Sequence, residues 1–122
     1  ATDGKVVVWG KGEEERDLLY ILDLAHAVEL ALEKQEKAFE IFYIGLGQTI
    51  SINKLVQKVI DYSKMDLRIE HDFSKPSIKT QFCLDCTKAE KVLGWKPKVT
   101  LDEGINKTLG WYKENILKEE KF

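Results

Sequence analysis

The sequence has no apolar run approaching the roughly 18 residues that a membrane span requires, and its start, Ala1-Thr2-Asp3-Gly4, lacks a basic stretch followed by an apolar one. A membrane partner and a secretory leader are therefore not expected, and a cytoplasmic location follows. Cysteine is scarce: Cys83 and Cys86 form a single Cys-x-x-Cys, and the two histidines, His26 and His71, stand far from it in sequence. Tetrahedral zinc would need an unusual ligand set, so structural thiols are the expectation and a metal or redox site is not. There is no excess of one charge. Nineteen Lys and Arg against 21 Asp and Glu leave a formal charge of -2, which gives no general attraction to nucleic acid or to anionic lipid. No internal repeat or low-complexity tract appears. An initiator methionine is lacking too, and the β-prone Val6-Val7-Val8 begins almost at once, which is the pattern of a chain cut from something longer.

What is present alternates short strands with amphipathic helices, the pattern of a small mixed α/β segment with one modest core. Val6-Val7-Val8-Trp9, closed by Gly10-Lys11-Gly12, reads as an extended arm or hairpin strand, and Leu18-Leu19-Tyr20-Ile21 as a second β run. From Asp23 to about Gln35, Leu24, Ala27, Val28, Ala31 and Leu32 recur at helical spacing. Ile41-Phe42-Tyr43-Ile44 reads as a buried strand ended by Gly45. Ser51 is the expected N-cap of a helix whose stripe is Ile52, Leu55, Val56, Val59 and Ile60. Leu67-Arg68-Ile69-Glu70 alternates like an edge strand, and the polar stretch from His71 to Gln81, with Pro76, reads as a surface loop. After the extended Phe82-Cys83-Leu84, Thr87 to Leu93 forms a two-turn helix stopped by Gly94. Thr100-Leu101-Asp102-Glu103 is a capping box opening a final helix with Ile105, Leu109, Tyr112 and Ile116 on one face.

Two glycine pairs, Gly10-x-Gly12 and Gly45-x-Gly47, invite a dinucleotide-binding reading that their contexts oppose. Glu13, Glu14 and Glu15 follow the first, where their charge would repel a pyrophosphate, and Ile50 occupies the place of a third glycine after the second. Arg16, between an acidic run and an apolar stretch, is placed to project into a cleft, and guanidinium suits a diphosphate. The alternative is an ion pair with Glu14 or Asp17. Trp9 is either core or a stacking platform for a base. Lys75 taken alone is a solvated side chain, and His26 has a structural use within its helix. No nucleophile, general-base pair or metal cluster emerges.

Taken in order, these segments resemble the carboxyl-terminal third of the extended short-chain dehydrogenase/reductases, the NAD-dependent epimerase/dehydratase family that acts on nucleotide-linked sugars. The likeness runs from Val6 to about Asn115. Its carriers are Val6-Val7-Val8-Trp9-Gly10-x-Gly12-x-x-x-Arg16-Asp17, Tyr20-x-x-Asp23-Leu24-Ala25 and Gly45-x-Gly47 before a helix. Ser74-Lys75-Pro76 follows, then Asp85-x-x-Lys88-Ala89-x-x-x-Leu93-Gly94-Trp95-x-Pro97 and Leu101-x-Glu103-Gly104-Ile105. The resemblance implies that Trp9 and Arg16 contact a nucleotide-sugar, Arg16 at the diphosphate, and adds Lys75 and Ser77 to the substrate-binding set. The nearest branch epimerises and reduces GDP-linked keto-sugars. Against its pattern, Ser77 replaces an acid, Gln81 an arginine, Leu22 the first of two adjacent acids and Tyr43 an asparagine, so nucleotide and sugar preference stay open.

The resemblance further implies that residues 1–122 form a single carboxyl-terminal substrate-binding domain of a longer enzyme, with 1–5 as boundary residues. NAD or NADP would be bound by an amino-terminal Rossmann portion that also carries the Ser/Tyr/Lys catalytic set, so this chain alone is expected to be inactive. Expected partners are a nucleoside diphosphate-sugar, that Rossmann portion and a second copy of the chain in a homo-oligomer. The competing reading is a stand-alone, non-catalytic binding or assembly module with the same fold.

Overall fold

A computed structural model describes residues 4–117; Ala1, Thr2 and Asp3, part of the expected boundary stretch, lie outside the described residues. The chain runs β1 (Lys5–Trp9), β2 (Glu15–Asp17), α1 (Ile21–Lys34), β3 (Thr49–Ser51), α2 (Ile52–Ser63), β4 (Arg68–Asp72), α3 (Thr87–Leu93) and α4 (Leu101–Asn115). This is the mixed α/β segment read from the sequence. Among the described residues it holds two sheets of two strands each. β1 lies parallel to β4, from Lys5 opposite Arg68 to Trp9 opposite Asp72. Parallel partners cannot be joined by a tight turn, so the expected arm or hairpin is replaced by a long crossover through β2, α1, β3 and α2. β2 and β3 pair antiparallel, Glu15 opposite Ser51 and Asp17 opposite Thr49.

The core gathers Ala27 of α1, Ala89 and Leu93 of α3, and Trp95, with Leu19, Leu30, Ala31, Phe42, Ile44 and Cys86 packed around them. Trp95 is 1% exposed. Its indole N–H donates to the Asp23 carbonyl at 2.9 Å, which meets the one polar demand of that ring. The Asp23 carboxylate, on a residue only 4% exposed, accepts the backbone N–H groups of Lys98 (3.0 Å) and Val99 (2.9 Å). One residue of α1 thus fastens the whole segment between α3 and α4. Gly94 closes α3 at φ +67, a conformation that suits glycine.

The helix ends follow the sequence signals closely. Ser51 accepts from Lys54 N at the start of α2, and Thr100 and Glu103 form the reciprocal capping box of α4. Lys58 of α2 reaches Asp102 of α4 at 2.6 Å, joining the two helices.

Three further expectations are corrected. Leu18 to Tyr20 is irregular and Ile21 already opens α1, because β3 offers only Thr49–Ser51 as ladder partners and pairing ends at Asp17. Residues 41–44 form no strand, because no described segment offers them a backbone ladder; yet they keep an extended alternation. Phe42 and Ile44 pack on the core, whereas Phe39, Ile41 and Tyr43 are exposed. The stripe of α1 also divides. Ala27, Leu30 and Ala31 face the core, while Leu24, Val28 and Leu32 face outward together with Ile21.

Replacing Asp23 with Ala removes the charged acceptor of two backbone N–H groups, those of Lys98 and Val99, with an expected loss of about 3 kcal/mol in urea denaturation. Asp23→Asn, which keeps one acceptor oxygen, is expected to lose less. Acid should weaken the fold through α4. The backbone N–H and hydroxyl of Thr100 hold the Glu103 carboxyl below its ordinary value, and the Lys58 ammonium does the same to Asp102. As pH falls the unfolded chain takes up these protons first, so their contribution is whole above the ordinary carboxylate range, near pH 4, and is lost as pH drops through the folded values. The urea midpoint should therefore fall on acidification, and Glu103→Gln should flatten part of that slope; an unchanged slope would speak against the assignment.

Candidate functional site

The parallel pairing of β1 with β4 decides where the candidate side chains stand. Trp9 ends β1 opposite Asp72, and its indole is 62% exposed, so it is not core. Gly10 donates its N–H to the Asp72 carbonyl at 2.9 Å, and the Asp72 side chain accepts from Ser74 N and Oγ, turning the chain sharply after β4. That turn carries Lys75 back over the exposed ring, with its ammonium 5.5 Å from the Trp9 ring centroid. Ser77 then packs on Gly10, its hydroxyl accepting from Lys11 N at 3.4 Å. At φ +67 Gly10 has a conformation that L side chains avoid, and a Cβ there would come within 2.5 Å of the Ser77 Cβ.

Arg16 lies in β2, half-buried, and its guanidinium donates to Thr80 Oγ1 at 2.8 Å. The alternative reading, an ion pair with Glu14 or Asp17, is not what the structure has. The Asp17 carboxylate is engaged elsewhere, accepting from Leu46 N (2.7 Å), Gly47 N (3.0 Å) and Leu84 N (3.2 Å). Glu15 N also donates to the Thr80 carbonyl at 2.8 Å. The segment between β4 and Gln81 therefore collects the candidates: Trp9, Lys75 and Ser77 meet at one end, and Thr80 holds Arg16 at the other. Neither Arg16 nor Lys75 forms an ion pair with a carboxylate among the described residues. An exposed aromatic face with the Lys75 ammonium over it can stack a base or sugar, and Arg16, held further along the same segment, can take phosphate oxygens.

Asp17, Thr80, Asn53 and His71 were not singled out as site residues from sequence. Asp17 had a signal, its place beside Arg16 in the same motif; the others stood in stretches read as a wet helix side and a polar loop.

The two glycine turns do not fit a cofactor phosphate. In the Gly45-Leu46-Gly47 turn Asp17 occupies the N–H groups of Leu46 and Gly47 while that of Gly45 goes to Cys86 Sγ, and those of Gly10 and Lys11 are given to Asp72 and Ser77. The dinucleotide pyrophosphate needs such donors free. Cys86 is a packing residue: Gly45 N donates to its Sγ at 3.2 Å, and burial pushes its thiol up, disfavouring the thiolate. Cys83 is exposed. His26 lies 3.6 Å from the Glu29 carboxylate on α1. No group of three or more His, Cys, Asp or Glu among the described residues could hold a metal ion, and no described helix is long and apolar enough to cross a membrane.

An apolar hollow of about 420 Å³ between α2 and α4 is lined by residues such as Leu18, Tyr20, Leu55, Ile105 and Leu109, with no charged group in its lining. It has nothing to hold a phosphate, and the Trp9 surface is the better candidate on chemistry.

Comparison with known proteins agrees with the mixed α/β fold. Residues 1–108 match the family described as GDP-mannose 4,6 dehydratase. A probable GDP-L-fucose synthase from rice (Oryza sativa subsp. japonica) is 35% identical over 117 residues, covering 96% of this chain and 35% of the rice protein. The solved UDP-glucose 4-epimerase of Thermotoga maritima, with UDP-glucose, superposes with a TM-score of 0.83 at 32% identity, over 92% of this chain and 36% of that one. A Pseudomonas aeruginosa structure complexed with NADPH shares the fold (TM-score 0.81, 19% identity, 94% and 38% covered). This chain belongs to the NAD-dependent epimerase/dehydratase family, the extended short-chain dehydrogenase/reductases. It spans about a third of the length of the curated relatives it matches.

The close approach at Gly10 can be checked directly. Gly10→Ala combines positive-φ strain with a collision against Ser77, and should cost roughly 2 kcal/mol or more in thermal or urea unfolding. Adding Ser77→Gly should recover the steric part and leave the strain; full recovery or none would contradict this account.

Proposed function

We propose that the chain is the substrate-binding, carboxyl-terminal part of an NAD(P)-dependent nucleotide-sugar epimerase, reductase or dehydratase, supplying one wall of the substrate cleft. The observation that carries the reading is the open Trp9 face with the Lys75 ammonium above it, and Arg16 held by a neutral hydroxyl, so that both cations keep their charge for an incoming anion. Trp9 stacks on the base or sugar, Arg16 grips the diphosphate, and Lys75 and Ser77 complete the contact. The substrate class is supported by the relatives, which include GDP-L-fucose synthases and an epimerase solved with UDP-glucose.

A site with one wall calls for a second. The exposed Phe39, Ile41 and Tyr43 on an unladdered segment, together with the exposed Ile21, Leu24, Val28 and Leu32 of α1, fit apolar surface from an amino-terminal Rossmann portion. That portion would bind NAD or NADP and carry the catalytic residues, leaving this chain inactive by itself. A homo-oligomer and a cytoplasmic location belong to the same reading. The coding sequence upstream of Ala1 is expected to contain a glycine-rich strand–turn–helix and a Tyr-x-x-x-Lys.

NMR-detected titration of the chain with GDP and with UDP tests the site. At least one nucleotide should shift the Trp9 indole signal, and Arg16→Ala should weaken that binding by about tenfold or more, the usual weight of a charge-assisted hydrogen bond. Titrations that leave Trp9 unmoved, or equal affinity in the variant, would remove these residues from the site.

A further inference from the structure

Trp9 is useful as a platform only if the turn that follows it is held still, and the residues that hold it come from two distant elements. Asn53, in the first turn of α2, donates its backbone N–H to the Gly12 carbonyl at 3.0 Å and its side-chain Nδ2 to the Lys11 carbonyl at 2.8 Å. A carbonyl only accepts, so Nδ2 is the atom turned to Lys11, and Oδ1 must face the other way. There it meets His71 Nε2 at 2.8 Å. An amide oxygen accepts, so Nε2 carries the proton and donates. The His71 ring is backed by Phe73, stacked at 5.8 Å between centroids with 13° between planes. His71 is the strand partner of the buried Val8, one step from the Trp9–Asp72 pair. Asn53 lies so close to the turn that a Cβ on Gly12, itself at φ +65, would run into its Oδ1.

We infer that Asn53 and His71 are positioning residues for the substrate surface. His71 fixes the rotamer of Asn53, and Asn53 holds the Lys11 and Gly12 carbonyls, which sets how Trp9 leaves β1 and where Lys11 N meets Ser77. Neither residue touches the substrate surface itself. The binding arm of this inference rests on the nucleotide-sugar reading above; the geometric arm does not.

Two substitutions in the 122-residue chain separate a positioning role from mere filling of space. His71→Phe keeps a ring and loses the donor, whereas His71→Gln keeps an N–H near the place of Nε2. Amide hydrogen exchange at Asn53, whose N–H donates to the Gly12 carbonyl, and at Lys11, whose N–H donates to Ser77, should quicken by about tenfold in His71→Phe, the fold-change that corresponds to a hydrogen bond of ordinary strength, and return to near the original rate in His71→Gln. Affinity for GDP or UDP, followed at the Trp9 indole, should fall and recover in parallel. Equal exchange in all three proteins overturns the inference, as does quickened exchange with unchanged nucleotide affinity. If the unaltered chain binds neither nucleotide, the proposed function fails while the exchange data still decide the clamp. If His71→Phe does not fold, Asn53→Asp replaces it: an acceptor for His71 remains and the donor to Lys11 is gone, so the same quickening is expected, and its absence overturns the inference.

Discussion

The buried carboxylate of Asp23 is the interaction on which the rest of the arrangement depends. It sits on α1 in a residue only 4% exposed, and a carboxylate so placed is tolerable only with hydrogen-bond donors beside it. The N–H groups of Lys98 and Val99 meet one oxygen, and the same residue's carbonyl takes the indole N–H of Trp95. These contacts set the route from Gly94 to Thr100, and so the start of α4 relative to α1. With Lys58 reaching Asp102, α2 is drawn into the same frame. Because α2 also presents Asn53 to the turn after β1, the buried acid is linked through rigid helices to the surface where Trp9 stands.

A second carboxylate works by the same rule at the opposite side of the motif. Asp17 follows Arg16 directly and could have neutralised it. Instead it gathers three backbone N–H groups from the 46–47 turn and from Leu84, a denser set of donors than one guanidinium offers in this geometry. The consequence for chemistry is twofold: a glycine pair that looks like a phosphate cradle is closed by the chain's own anion, and Arg16 is left with a neutral hydroxyl as its partner. The segment from Asp72 to Gln81 exploits both outcomes, since it brings Lys75 and Ser77 to Trp9 and Thr80 to Arg16.

Much of this was readable in advance. The capping box at Thr100, the Ser51 cap, the Thr87–Leu93 helix and its Gly94 stop are short-range devices, each complete within a few residues, and the structure has them where the spacing put them. The strands were less legible. Residues 41–44 have the composition and alternation of a strand but no described partner, and Leu18 to Tyr20 are β-prone but opposite nothing. A strand is defined by a neighbour, which composition does not contain.

The sequence by itself determined the capped ends of α2, α3 and α4, the family and the candidates Trp9, Arg16, Lys75 and Ser77, because periodicity, caps and motif order are local properties. The tertiary structure alone decided that β1 lies parallel to β4, that Lys75 covers Trp9, that Asp17 turns from Arg16 to the backbone, and that Asn53 and His71 meet at the Gly10–Gly12 turn. Each of these joins residues far apart in the chain, and a pairing of that kind is selected only when the competing donors, acceptors and apolar faces of the whole fold are satisfied together.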